Sequence, residues 1–184
     1  MRSYDALIVA DARVLPFRDG AFNTIFSNST LEHIPGVEKV VIEAYRVTND
    51  KGIFIMTVPS EYFESLLLLP FKPYVRLRNR FLSHINLFDF KKWRDLLSNC
   101  GFVVVFSQLY ATPLFVKLWD FIEIGYWLRV PRALRFLWNK MLGNPIISSI
   151  YLAILRSEYE RAKYYRRPIM RGGGRLIIAR KLKL

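Results

Sequence analysis

The residues able to do polar chemistry gather early in the chain. Asp11 closes one apolar run, Ser27 and Asn28 close a second, and Leu31-Glu32-His33-Ile34 follows at once. A carboxylate only accepts hydrogen bonds, so Asp11 suits recognition of an amine, although a strand-ending Asp equally suits capping a turn. An imidazole exchanges its proton near neutral pH, so His33 suits orienting a substrate or taking its proton; a packing or capping role fits the same residue. The other histidine, His84, lies far away in sequence and the pair has no ligand spacing, so no metal site is expected and His84 is expected to order its own segment. Ser27 and Ser29 lack the Gly-flanked elbow of a hydrolytic nucleophile. Cys100, on the apolar face of a helix beside Gly101, reads as a core residue.

The elements that must position these residues alternate. Asp5–Ala10 is a nearly continuous apolar run and predicts a strand buried on both faces, ending at Asp11. A second strand is expected over Phe22–Ser27 after the Asp19-Gly20 turn, and a third over Ile53–Val58 after Asn49-Asp50-Lys51-Gly52. Between them Val37, Val40, Val41, Ala44 and Val47 share one helical face. Asp89 is a good N-cap for a helix that buries Trp93, Leu96, Leu97 and Cys100 and stops at Gly101. Strands follow at Phe102–Phe106 and, after Gly172-Gly173-Gly174, at Arg175–Arg180. Strand, helix and strand in alternation define an α/β fold.

Four short motifs stand in order within Ala10–Ile34: Asp11-Ala12, Leu15-Pro16-Phe17, Asp19-Gly20-x-Phe22-Asn23 and Leu31-Glu32-His33-Ile34. Together they resemble the middle of a class I S-adenosylmethionine-dependent methyltransferase of the small-molecule branch. The segment His84–Phe106 resembles the same family's penultimate helix and strand. The resemblance implies a partial Rossmann-like methyltransferase sheet, from the family's third strand onward, with an inserted α-helical lid before the last strand. It implies S-adenosyl-L-methionine as cofactor. Asp11 would accept from the adenine amino group, the Ala12 amide would bond the ring, and Ser27 and Asn28 would lie against the methionine part. Glu32, His33 and His84 would face the acceptor, with His33 as the catalytic candidate. In the family, the last strand closes an antiparallel hairpin with the strand at Phe102–Phe106.

The family's opening strand, Gly-rich turn and ribose-binding acid have no counterpart in this sequence, and Asn23 replaces the usual Asp. The three glycines at 172–174 precede a strand and cannot substitute. The expectation is therefore that the chain is the downstream part of a longer protein, or that a second chain supplies the missing strands.

Residues 109–174 read as a helical insertion into a core formed by 1–108 and 175–184, because 107–174 far exceeds a hairpin loop. Prolines divide it into three candidate helices. Leu114–Leu128 carries Lys117, Asp120 and Glu123 as one polar stripe; the second carries Arg132, Arg135 and Lys140; the third runs from Ile146 to Arg167. The connection after Pro59, with the apolar patch Ser65–Phe71 broken by Pro70 and Pro73 and then Arg76, Arg78 and Arg80, is both oily and basic and reads as a mobile cap. Both oily segments leave the carboxyl ends of strands, where such sheets bind ligands.

The chain has 184 residues, 52% of them hydrophobic, with a formal net charge of +13. That size supports one full core, and the charge suits an anionic partner. A single cysteine excludes an intramolecular disulfide, and no secretory signal or spanning run is evident. Basic amphipathic helices rich in Trp and Tyr fit an anionic membrane surface, giving an expected cytoplasmic, peripheral location; helices packed on one another fit the same pattern. Three readings follow. The first is methyl transfer to a small or lipid-linked acceptor near a membrane. The second is a non-catalytic, membrane-associated or scaffold remnant of such an enzyme. The third, a nucleic-acid methyltransferase, rests on charge alone and lacks exposed stacking aromatics along a basic groove.

Overall fold

The computed structural model describes residues 5–127 and 169–182, with a few single positions between 140 and 156. Among the described residues, strands β1 (Phe22–Asn28), β2 (Thr48–Pro59), β3 (Phe102–Tyr110) and β4 (Gly174–Lys181) form one sheet in the order β1-β2-β4-β3. β1 and β2 are parallel, with Ser27 opposite Met56, and β4 runs antiparallel to both β2 and β3. The helices are α1 (Val37–Val47), α2 (Phe63–Leu66), α3 (Lys72–Leu82), α4 (Phe90–Asn99) and α5 (Pro113–Trp127). This is a mixed α/β architecture in which α1 connects two parallel strands and the last strand inserts between β2 and β3.

Periodicity explains the main core. Val37, Val40, Val41, Ala44 and Val47 of α1 are all buried, and they meet Trp93 and Leu97 of α4. The sheet contributes Phe54, Met56 and Val58 of β2, Phe102 of β3, and Ile177 and Ala179 of β4. Each large side chain buried in this way contributes about 1.5–3 kcal/mol. The Asp89 carboxylate accepts from the Lys92 amide at 2.7 Å and starts α4 as expected. Among the described residues the opposite sheet face is largely uncovered: Phe26, Ile55, Ile178 and Phe106 lie side by side in register, with Phe26 and Phe106 exposed.

Two local expectations change. The segment Asn49–Gly52 is an irregularity inside β2 instead of a preceding turn, since Phe22 pairs with Thr48 but Thr24 with Ile53. A Cβ on Gly52 would lie 2.6 Å from Thr48 Cγ2 and 2.9 Å from the Asn23 carbonyl oxygen, so only glycine fits. The strand expected at Asp5–Ala10 does not form. Leu7, Ile8 and Val9 are exposed, and Asp11 makes only an isolated bridge to Val14. A strand buried on both faces needs neighbours for its backbone hydrogen bonds and its side chains, and among the described residues this run has neither.

The oily connection after β2 is folded into a second, smaller core, which corrects its reading as a mobile cap. Phe63, Leu66 and Leu67 pack with Val116 of α5, and Tyr74, Val75, Leu82 and Trp119 close around them. Asp120, expected on a polar stripe, is fully buried. Its Oδ1 lies 2.6 Å from Nε of Arg78, and its Oδ2 accepts from the Leu68 amide at 2.9 Å and the Tyr74 hydroxyl at 2.6 Å. Burial and the hydrogen bond to Asp120 push the Tyr74 phenol up. The expected second and third insertion helices lie outside the described residues. No described helix is long and apolar enough to cross a membrane.

A further network holds Leu15-Pro16-Phe17 against α1. Glu43 Oε1 accepts from the Leu15 amide at 2.6 Å and from Arg46, while Arg46 donates to the carbonyls of Leu15 and Phe17 and pairs with Asp19 at 2.6 Å. The Arg46 hydrogen bond holds the Glu43 carboxyl below the usual glutamate value of 4.5, against the opposing effect of burial. Its contribution is therefore complete above that pH and is lost as pH falls through the lower folded value. Glu43→Gln is expected to cost about 1–3 kcal/mol at neutral pH and to flatten the acid limb of urea-unfolding stability; an unchanged acid limb would contradict this. Arg78→Met leaves Asp120 buried and unpaired, and is expected to cost about 3–5 kcal/mol. The double variant Arg78→Met/Asp120→Leu is expected to recover most of that loss in thermal unfolding, and failure to recover would show that the pair matters for more than charge balance.

Candidate active site

β1 ends at Asn28, and its side-chain oxygen accepts from the Thr57 hydroxyl at 2.6 Å. Ser29 follows with φ 45°, and its amide donates to the carbonyl of Thr57 at 3.1 Å and to its hydroxyl at 3.0 Å. The chain thus turns sharply over the end of β2 into a 3₁₀ turn, Leu31–His33, in which Leu31 and Glu32 are buried.

A second segment is stitched onto this turn. The Glu32 carbonyl accepts from the Ile85 amide at 2.7 Å and the Asn86 amide at 3.0 Å. The Asn86 side chain returns two hydrogen bonds of 2.8 Å, to the carbonyls of Leu31 and Ile34. Just before it, α3 ends at Ser83 in a left-handed conformation, φ 55°, and the Ser83 carbonyl meets Nδ1 of His33 at 3.1 Å. A carbonyl oxygen only accepts, so Nδ1 of His33 carries the hydrogen, and in the neutral ring the lone pair falls on Nε2.

This stitching overturns the reasoning from sequence separation. The rings of His33 and His84 lie 5.2 Å apart, and Nε2 of His33 is 3.8 Å from Glu32 Oε1. Glu32, His33 and His84 line one cavity of about 390 Å³, together with Ser29. Its other walls are mainly apolar: Val58 and Pro59 from the end of β2, Phe63 from α2, Phe115 and Trp119 from α5. Burial pushes the Glu32 carboxyl up, and burial, with the nearby His33 and Arg78, pushes His84 down to about 4. A largely apolar pocket holding a buried carboxylate and two imidazoles can orient an acceptor and move one proton.

The other sequence-predicted residues fall elsewhere. Ser27 and Asn28 sit at the β1 end beside the cavity but do not line it. Asp11 is half-exposed, and its two carboxylate oxygens receive the Arg13 backbone amide at 2.9 Å and the Arg13 guanidinium at 2.7–3.1 Å. Those bonds hold its pKa down to about 2. Ala12 packs at the margin of the main core. Cys100 also packs there, and burial pushes its thiol up. Sequence reading missed Asn86, the residue that joins the two halves of the site. Its only signal is position, two residues after His84 in an otherwise apolar stretch.

Residues 2–56 match the profile of the methyltransferase domain family. Phosphoethanolamine N-methyltransferase 2 of Caenorhabditis elegans is 29% identical over 110 residues, covering 60% of this chain and 24% of that protein. Malonyl-[acyl-carrier protein] O-methyltransferase of Geobacter sulfurreducens is 41% identical over 54 residues, 29% of this chain and 20% of that protein. The chain thus spans a quarter or less of the curated relatives it matches. Among solved structures, Haemonchus contortus phosphoethanolamine N-methyltransferase 2 in complex with S-adenosyl-L-methionine superposes with a TM-score of 0.54 at 15% identity, covering 94% of this chain and 36% of that one. The ordered motifs of Ala10–Ile34 and the profile match over residues 2–56 thus identify that stretch as similar to the small-molecule class I S-adenosylmethionine-dependent methyltransferases, and the α/β sheet shares their fold.

Proposed function

We propose that the chain serves methyl transfer from S-adenosylmethionine to a small or lipid-linked acceptor seated in the cavity of Glu32, His33 and His84. The observation that carries this reading is the convergence of those three side chains on one apolar pocket at the carboxyl ends of parallel β1 and β2, the edge at which such sheets bind ligands. S-adenosylmethionine supplies an activated methyl: the acceptor–carbon bond forms as the sulfur–carbon bond breaks, and that electron pair stays on sulfur. No protein nucleophile is then required, which agrees with the absence of a hydrolase-like elbow at Ser27 and Ser29.

The chain's own residues position the acceptor and handle its proton. His33, with Nδ1 held by the Ser83 carbonyl, takes the proton that the acceptor loses at Nε2. Glu32 orients it, and the aromatic walls exclude water. Asp11 and Ala12 would hold the adenine and Ser27 and Asn28 the methionine part. Asp11 fits that role in type and exposure, provided one carboxylate lone pair remains free beside Arg13. The family's Gly-rich turn and ribose acid have no counterpart here, so the cofactor site is incomplete within these 184 residues. A longer chain or a second chain would complete it.

A lipid-linked acceptor and a cytoplasmic, membrane-peripheral location draw support from the outer surface of the elements around the pocket. Leu69, Phe71 and Leu77 around α3, and Leu114 and Phe121 on α5, are large and exposed, and Lys72, Arg76 and Arg80 stand among them. α5 and the α2–α3 connection would then act as a lid at an anionic surface. The same surface would serve a non-catalytic membrane scaffold, and cofactor binding separates the two readings.

Calorimetric titration with S-adenosylhomocysteine is expected to give weak but saturable binding to the half-site that this chain supplies, weakened tenfold or more in Asp11→Ala by loss of a charged hydrogen bond worth about 1.5–3 kcal/mol. A folded chain that gives no heat would overturn cofactor binding by this chain. Methyl-transfer assays with phosphoethanolamine in solution and an ethanolamine lipid in anionic vesicles then decide between small and lipid-linked acceptors.

A further inference from the structure

Glu32, His33 and His84 each bring one potential metal-ligand atom within 4.8 Å of the others. Three features distinguish the group from an ordinary polar cluster. Glu32 is only 2% exposed, yet its Oε2 has no hydrogen-bond partner among the described residues. Nδ1 of His84 is likewise buried without a partner among the described residues. The His33 ring is fixed by a backbone carbonyl at Nδ1, the arrangement by which a second shell orients a metal-bound imidazole and leaves its other nitrogen to ligate. Buried polar atoms without partners are costly, on the order of 1–3 kcal/mol each, and an ion among these three residues would supply the missing partner.

We propose that Glu32, His33 and His84 bind one divalent transition-metal ion, zinc by preference, with the open coordination position facing the cavity. Two imidazoles and one carboxylate suit zinc and its neighbours, whereas magnesium and calcium favour all-oxygen sets. Three protein ligands with one position open to a pocket is the pattern of reactive zinc sites, as distinct from closed structural ones. Tetrahedral coordination sets neighbouring ligand atoms roughly 3.3 Å apart, so binding requires the three side chains to close in by on the order of 1 Å. The open position would receive an oxygen of the acceptor, which favours acceptors bearing a hydroxyl or phosphate oxygen; with the ion bound, Nε2 of His33 is a ligand and no longer a base, and the ion itself would ease loss of that oxygen's proton to water. Only that role rests on the methyl-transfer reading; the site itself does not.

The test uses the full, tag-free chain stripped with a chelator, titrated with zinc chloride by calorimetry and with cobalt(II) by visible absorption. One ion per chain and a tetrahedral cobalt spectrum are expected, with binding weakened roughly a hundredfold in Glu32→Gln and in His84→Ala. Circular dichroism checks that each variant folds, and His84→Gln replaces His84→Ala if it does not. No saturable binding by the folded chain, or binding unchanged in both variants, overturns the site. S-adenosylhomocysteine titration of the same stripped sample separates the two ideas: cofactor binding without metal binding removes only the metal site, and metal binding without cofactor binding removes only methyl transfer.

Discussion

The site depends on the stitching of two distant segments at Glu32 and Asn86. One backbone carbonyl, that of Glu32, accepts two amides from the segment after α3, and the Asn86 amide returns two hydrogen bonds to the 3₁₀ turn. Four hydrogen bonds, three of them made by buried Asn86, fix two stretches that are far apart along the chain. Without them only the Ser83 carbonyl on His33 Nδ1 ties the end of α3 to the turn, since His33 and His84 belong to different elements and share no helix face or strand register.

The rest of the molecule serves to present those two stretches. Parallel β1 and β2, backed by α1 and α4, place the turn at their carboxyl ends. The second core, locked by Arg78 against Asp120, places the end of α3 and the face of α5 across the gap. β4 completes the cradle: Gly173 and Gly174 approach so closely that a Cβ would meet Val116 at 2.3 Å and the Tyr110 ring at 2.2 Å. The glycine run before the last strand thus serves close packing beneath the cavity.

Much of this was legible in the sequence. The valines of α1 and the Asp89 cap announced their helices, and the apolar runs announced β1, β2, β3 and β4, because periodicity and capping are local properties. The motifs of Ala10–Ile34 announced the family. What was not legible depended on tertiary context. Asp5–Ala10 has strand composition, but composition cannot supply a hydrogen-bonding neighbour. Asp120 has surface spacing on α5, yet Arg78 draws it inside, and no sequence rule pairs residues on separate helices. His84 looked remote from His33 because separation along the chain carries no information about a turn stitched by Asn86.

The juxtaposition of the two histidines tests this account most directly, and the chain contains only these two. With ring centroids 5.2 Å apart, ring protons of His33 and His84 are expected to give a nuclear Overhauser cross-peak in the wild-type chain, lost or strongly weakened in Asn86→Ala while the fold persists. A folded wild-type chain with no such cross-peak would contradict the site on which the functional reading stands.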